Sequence, residues 1–145
     1  MIVRHCAGGV VFYANKVLLI KNDRGEWTLP KGKIFNGELK TESAILSVKQ
    51  ETGVEGTVLG VAGDSMYEFF SRSRQQQVCN SVTWYIMETS DTSCVLNKEL
   101  LDGGFFKIKD ALEQLTHKKE KSLVEISYKK YKELKKEVVE TSASI

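Results

Sequence analysis

The sequence predicts a single α/β domain built on a mixed sheet, and three observations carry that expectation. A chain of 145 residues with 41% hydrophobic composition is large enough for one core and too short for two comfortable ones. Short runs rich in β-branched and aromatic residues recur from residue 2 to 21 and again from 54 to 88. Between and after them lie two stretches with helical spacing of apolar residues, near 41–52 and 122–139. The domain is expected to span 1–140, with 141–145 a disordered tail, and neither an internal repeat nor a dividing linker is visible.

The elements follow in order. Ile2–Tyr13 and Lys16–Lys21 read as adjacent strands joined by a turn at Ala14-Asn15. Asn22-Asp23-Arg24-Gly25 is turn chemistry, and Pro30, Gly32, Asn36 and Gly37 predict an irregular loop up to Thr41. A helix over 41–52 places Ala44, Ile45 and Val48 on one stripe, with Thr41 as N-cap and Gly53 as its stop. Val54–Val61, Ser65–Phe70 and Val78–Glu88 read as three strands, the first two divided at Gly63-Asp64. Gly103–Phe106 predicts a short last strand and Asp110–Leu115 a short helix. A longer helix over 122–139 is expected to turn Leu123, Ile126, Tyr131, Leu134 and Val138 toward the core.

Composition narrows the function. A net charge of +2 with mixed signs is too mild for a wholesale nucleic-acid binder. Cys6, Cys79 and Cys94 are odd in number and widely spaced, which predicts free thiols in a reducing compartment, and His5 and His117 are too isolated for a zinc site. The N-terminus lacks the basic and apolar pattern of a leader, and no apolar run approaches the roughly 18 residues of a membrane span. A cytoplasmic protein is expected, with no membrane partner.

The chemistry concentrates in residues 29–54. On the expected helix, positions 47, 50 and 51 stand at i, i+3 and i+4 and share one face, a geometry in which three carboxylates would suit Mg2+. The preceding loop brings Lys31, Gly32, Lys33 and backbone amides toward a diphosphate, with Glu38 folding back at its end. The two halves suggest a pyrophosphate clamp.

Gly32, five residues, Glu38 and then Leu46-Ser47-Val48-Lys49-Gln50-Glu51-Thr52-Gly53-Val54 resemble the Nudix box, G-x5-E-x7-R-E-U-x-E-E-x-G-U, where U is aliphatic. The frame matches without a gap. Trp27–Gly32 is similar to the family's lead-in, and Ala7–Val11 and Gly104–Phe106 sit where members carry similar features. The resemblance to MutT-like Nudix hydrolases implies an α/β/α sandwich with a long loop leading into the Nudix helix. It also implies Mg2+ or Mn2+ as cofactor, a nucleotide-type ligand, and a layout closest to the dinucleoside polyphosphate hydrolases.

Three box positions depart: Leu46 stands for the Arg, Ser47 for the Glu after it, and Gln50 for the first of the paired Glu residues. Among the catalytic candidates Ser47, Gln50 and Glu51, only Glu51 keeps a charge and is the expected metal ligand. Each missing carboxylate removes on the order of a few kcal/mol of attraction at about 4 Å and an effective dielectric near 20, roughly tenfold or more in affinity, so metal binding is expected to be weak or absent. Gln50 and Ser47 keep neutral oxygens but no useful general base near neutral pH.

Outside the box, alternating Tyr67 and Phe69 are expected first as core residues on one face of a strand, the alternative being that Tyr67, Phe69 and Phe70, followed by Arg72 and Arg74, stack a base and capture a phosphate. The lysines from 118 to 136, interleaved with Glu120, Glu125 and Glu133, predict a solvated helix face with i, i+4 pairs, an RNA-binding patch being the alternative. Two functional readings remain open. One is a metal-dependent pyrophosphohydrolase of nucleoside diphosphate-linked compounds with impaired activity, in which Lys31, Lys33, Gly32, Glu38, Tyr67 and Arg72 bind substrate. The other is a non-catalytic module that binds a nucleotide or a protein partner. An RNA-associated domain stands behind both, and a homodimer is left open.

Overall fold

The computed structural model describes the backbone of residues 1–143 and the side chains of residues 1–137. In chain order the elements are β1 (Ile2–Tyr13), β2 (Lys16–Lys21), β3 (Trp27–Thr28), β4 (Lys31–Lys33), α1 (Lys40–Thr52), β5 (Thr57–Ser71), β6 (Gln76–Glu88), β7 (Asp102–Lys107), α2 (Ile108–Gln114) and α3 (Lys118–Ala143). β1 and β6 pair in parallel from Ile2–Val78 to Phe12–Glu88, and β5 pairs antiparallel with β6. β2 pairs antiparallel with β1, β3 and β7, while β4 lies against β1. The sheet is mixed, as expected.

β1 is buried from Cys6 to Phe12 because helices cover both of its faces. Alternate residues therefore enter different cores. Cys6, Val10 and Phe12 pack with Trp84, Leu115, Val124 and Tyr131 beneath α2 and α3, whereas Ala7 and Val11 pack with Ala44, Val48 and Met87 beneath α1. This is the α/β/α sandwich of the sequence reading. Close approach of α1 depends on Gly9, where an added Cβ would meet the Met87 Sδ at 2.9 Å and Val48 at 3.0 Å.

Several elements differ from expectation. Residues 27–33 are not wholly irregular: their backbone groups find partners on β2 and β1, forming β3 and β4. The divided strand is one long β5, because bulges between Val58 and Gly60 and between Val61 and Gly63 absorb the irregularity at Gly63 without ending the ladder. Leu39, not Thr41, is the N-cap of α1, and no side chain caps it; Gly53 does end the helix, in the left-handed conformation at φ 74°.

α3 is rotated from the expected register. Val124, Ser127 and Tyr131 are buried, Leu123 and Leu134 are half-buried, and Ile126 is 53% exposed. Tyr131 stacked on Phe12, with Tyr128 tilted against the same ring, sets this face. The Val138 side chain lies outside the described residues. The α3 backbone is helical to Ala143, and Ser144 and Ile145 of the expected tail lie outside the described residues. The expected i, i+4 pairs are not formed among the described residues of α3; Lys135 instead reaches Glu88 at 2.9 Å and Lys132 sits over Tyr128. No described helix is long and apolar enough to cross a membrane.

Candidate functional site

The loop from Pro30 to Leu39 is held at several points. Gly9 donates its N–H to the Pro30 carbonyl at 3.1 Å and Ile34 donates to the His5 carbonyl at 2.9 Å. The Glu38 carboxylate accepts the Phe35 N–H and the Ser43 hydroxyl, each at 3.0 Å, and so ties the loop to the first turn of α1. Gly32 lies over Ser47: a Cβ added at Gly32 would stand 2.5 Å from the Ser47 Oγ. Ser47 is buried there, Gln50 is exposed, and Glu51 is half-buried.

Glu51 opens into a recess of about 200 Å³ that it shares with Asp23, Lys31 and Glu99. The 89–101 segment reaches this position because Val95 and Asn97 donate their N–H groups to the Thr52 and Glu51 carbonyls, each at 2.8 Å. These bonds satisfy orphan carbonyls at the helix end. Burial pushes the Glu51 carboxyl above the ordinary carboxyl range; nearby Lys31 opposes the shift and Glu99 adds to it.

Asn22, Asp23, Thr28 and Lys31 line both this recess and a larger cleft of about 580 Å³ beside β5, β6 and the start of α3. On one wall the Lys31 ammonium lies 5.2 Å from the Tyr67 ring centre, and Arg4 and Arg24 lie 5.5 and 5.8 Å from that of Phe69. Arg4 Nε donates to Asn80 Oδ1 at 3.0 Å, and Asn80 Nδ2 donates to the Tyr67 hydroxyl at 3.0 Å, so one buried amide orients both groups. Opposite them Glu120 accepts the Leu29 N–H at 2.7 Å, and His117 meets Glu26 at 3.1 Å. Burial raises the Glu120 carboxyl, against the Leu29 hydrogen bond and the charges of Lys31 and His117 that lower it.

The predicted site residues are thus divided. Lys31 and Tyr67 meet in the cleft, and Glu51 faces the adjoining recess. Gly32 and Ser47 are packed on each other, Glu38 braces the loop, and exposed Lys33 sits 5.9 Å from the Phe35 ring. Arg72 is exposed in the turn after β5 and does not line the cleft. Tyr67 and Phe69 face the cleft rather than a core, Tyr67 being 38% exposed. Sequence reasoning missed Arg4, Arg24, Asn80, Glu99 and Glu120 as site residues. Glu120 resembled any other acid of a lysine-rich helix, and the rest carry no local signal because long-range pairing brings them together.

A family model described as the NUDIX domain matches residues 3–127. The chain belongs to the Nudix family. It is 32% identical over 106 residues to a Mycobacterium tuberculosis protein named MutT4; the match takes in 70% of this chain, which spans only 40% of that relative. Structures of similar fold include the Escherichia coli dihydroneopterin triphosphate pyrophosphohydrolase (TM-score 0.71, 16% identity, 86% of this chain and 96% of that one). A Nudix hydrolase from Nitrosomonas europaea has a TM-score of 0.68 at 18% identity, over 86% of this chain and 69% of that one. A Caenorhabditis elegans Ap4A hydrolase has a TM-score of 0.64 at 18% identity, over 88% and 96%.

Nudix hydrolases generally use divalent metals such as Mg2+ or Mn2+. The donor set of this Nudix helix does not fit such an ion. Gln50 is neutral, Ser47 is packed against Gly32, and Glu51 is the sole acid left on the helix face. Asp23, Glu51 and Glu99 line one recess, yet among the described residues no three His, Cys, Asp or Glu side chains gather closely enough to hold a metal.

Proposed function

We propose that this Nudix protein binds a nucleoside diphosphate-linked ligand in the large cleft, with metal-dependent pyrophosphate hydrolysis impaired. Tyr67 and Phe69 offer a face for a base, Lys31, Arg4 and Arg24 offer charge for phosphates, and Glu38 holds the loop beside them. The observation that carries the reading is that Ser47 and Gln50 are neutral and Ser47 is packed beneath Gly32, so Glu51 is the only anion on the helix face that borders the recess adjoining the cleft. A dinucleoside polyphosphate is the first ligand to try, because a protein of similar fold is an Ap4A hydrolase.

The test is to incubate purified protein with Mg2+ or Mn2+ and a panel of nucleotides and dinucleoside polyphosphates. Products are separated by chromatography, binding is followed by calorimetry, and Glu51→Ala serves as control. Binding with little or no product is the expected result. Rapid turnover that Glu51→Ala abolishes would replace this reading with that of an efficient metal-dependent hydrolase.

A further inference from the structure

We infer that the cleft takes its nucleoside diphosphate free of a divalent cation, with the Lys31 ammonium supplying the positive charge at the diphosphate. The inference rests on the cleft being a nucleotide site and adds the form of the ligand that it selects.

Lys31 stands where the cleft and the Glu51 recess join, and among the described residues it is the only Lys or Arg that lines the recess. Its position is fixed from behind. β4 pairs Lys31 with Gly8 of β1, and an added Cβ at Gly8 would lie 2.8 Å from the Lys31 Cβ and 2.5 Å from the Trp84 ring. The backbone at Lys31 is therefore pressed against the central strand, and its ammonium reaches forward over Tyr67. The same charge is felt at both carboxylates that flank the junction, lowering the carboxyl pKa of Glu51 on α1 and of Glu120 on α3 against the effect of burial.

Arg4, Arg24 and Lys119 stand further along the cleft; Lys119 donates to the Met66 carbonyl at 3.2 Å. Among the described residues the Lys and Arg side chains lining this cleft outnumber its acids, Asp23, Glu26, Glu68 and Glu120, by one, and a free diphosphate meets the cations at Lys31, Arg4 and Arg24. A Mg2+ ion on the diphosphate cancels most of the negative charge those cations attract, and the ion itself is repelled by Lys31. It gains little in return, because the acids of the recess do not converge.

The experiment is calorimetric titration of the full chain with ADP, in EDTA and in excess Mg2+ at equal ionic strength. ADP is expected to bind in EDTA at least as tightly as in Mg2+, with Mg2+ weakening it by up to about tenfold. Lys31→Met is expected to weaken binding in EDTA by about tenfold or more, the loss of one charge-assisted contact. Lys31→Arg should retain most of the affinity, and Lys129→Met on the exposed face of α3 all of it. Thermal melts of each variant separate misfolding from loss of binding. ADP that binds only with Mg2+, or more tightly with it, overturns the inference while leaving the cleft a nucleotide site, as does undiminished binding by folded Lys31→Met. ADP that binds under neither condition overturns both.

Discussion

Gly32 and Ser47 are packed so closely that a single methyl group on Gly32 would come within 2.5 Å of the Ser47 Oγ and 3.0 Å of its Cβ. The loop before α1 therefore rests on the helix at the position where the Nudix pattern places its first helical glutamate. Glycine is required here by close approach, not by backbone conformation.

Gly32→Ala should destabilise the protein by about 1–3 kcal/mol through overpacking. Ser47→Ala removes the nearer of the two opposing atoms, so Gly32→Ala combined with Ser47→Ala should be more stable than the sum of the single changes predicts. A double-mutant cycle by urea denaturation measures this coupling. Strict additivity would mean that the loop does not rest on Ser47.

Gln50 is exposed, and Gln50→Glu adds a second anion to the helix face without a packing penalty. Because Ser47 remains neutral and covered, the change should raise Mg2+-dependent cleavage by no more than about tenfold over the parent chain. Product chromatography decides the matter, and a hundredfold rise would show that one carboxylate suffices.

Glu120 carries the pH dependence of stability in the cleft. Its folded carboxyl lies above the ordinary value of 4.5, chiefly through burial. Between those two values the folded chain holds more protons than the unfolded one, so stability falls as pH rises through this window. Glu51 contributes with the same sign. Glu120→Gln should flatten the fall while keeping an acceptor for the Leu29 N–H. Glu120→Ala should cost about 1–3 kcal/mol by leaving that buried donor unpaired. Thermal melts across pH 4 to 8 would show both effects.

Asn80 joins Arg4 to Tyr67 from a position only 5% exposed. Asn80→Leu removes both bonds, frees two cleft side chains, and should weaken nucleotide binding by about tenfold. Tyr67→Phe keeps the ring but not its anchor and should cost less, about 0.5–1.5 kcal/mol in stability. Calorimetry and denaturation of the pair distinguish orientation of the ring from its presence.

The α/β/α layering, most strands, the stop at Gly53 and the Nudix frame from Gly32 to Val54 were all legible in the linear chain. Each depends on local periodicity, turn chemistry or fixed spacing, and these survive without knowledge of the fold. The neutral Ser47 and Gln50 were legible for the same reason. The exact register of α3 was not, since a rotation of less than one residue position, about 100°, is decided by how Tyr131 and Tyr128 pack against Phe12 rather than by α3 itself. The division of the strand at Gly63 was misread because pairing with β6 carries the ladder through the bulges.

What the sequence by itself determined is the architecture and the depleted charge of the box helix. What only the tertiary structure decided is the composition of the cleft. Arg4 from β1, Arg24 from a turn, Asn80 from β6 and Glu120 from α3 come together around Lys31 across separations of up to 116 residues. Such meetings are set by sheet pairing and helix packing, and no short window of sequence contains them. Ser47 shows the same division within one residue: its neutrality was plain in the chain, but its burial under Gly32 required the loop to fold back onto the helix.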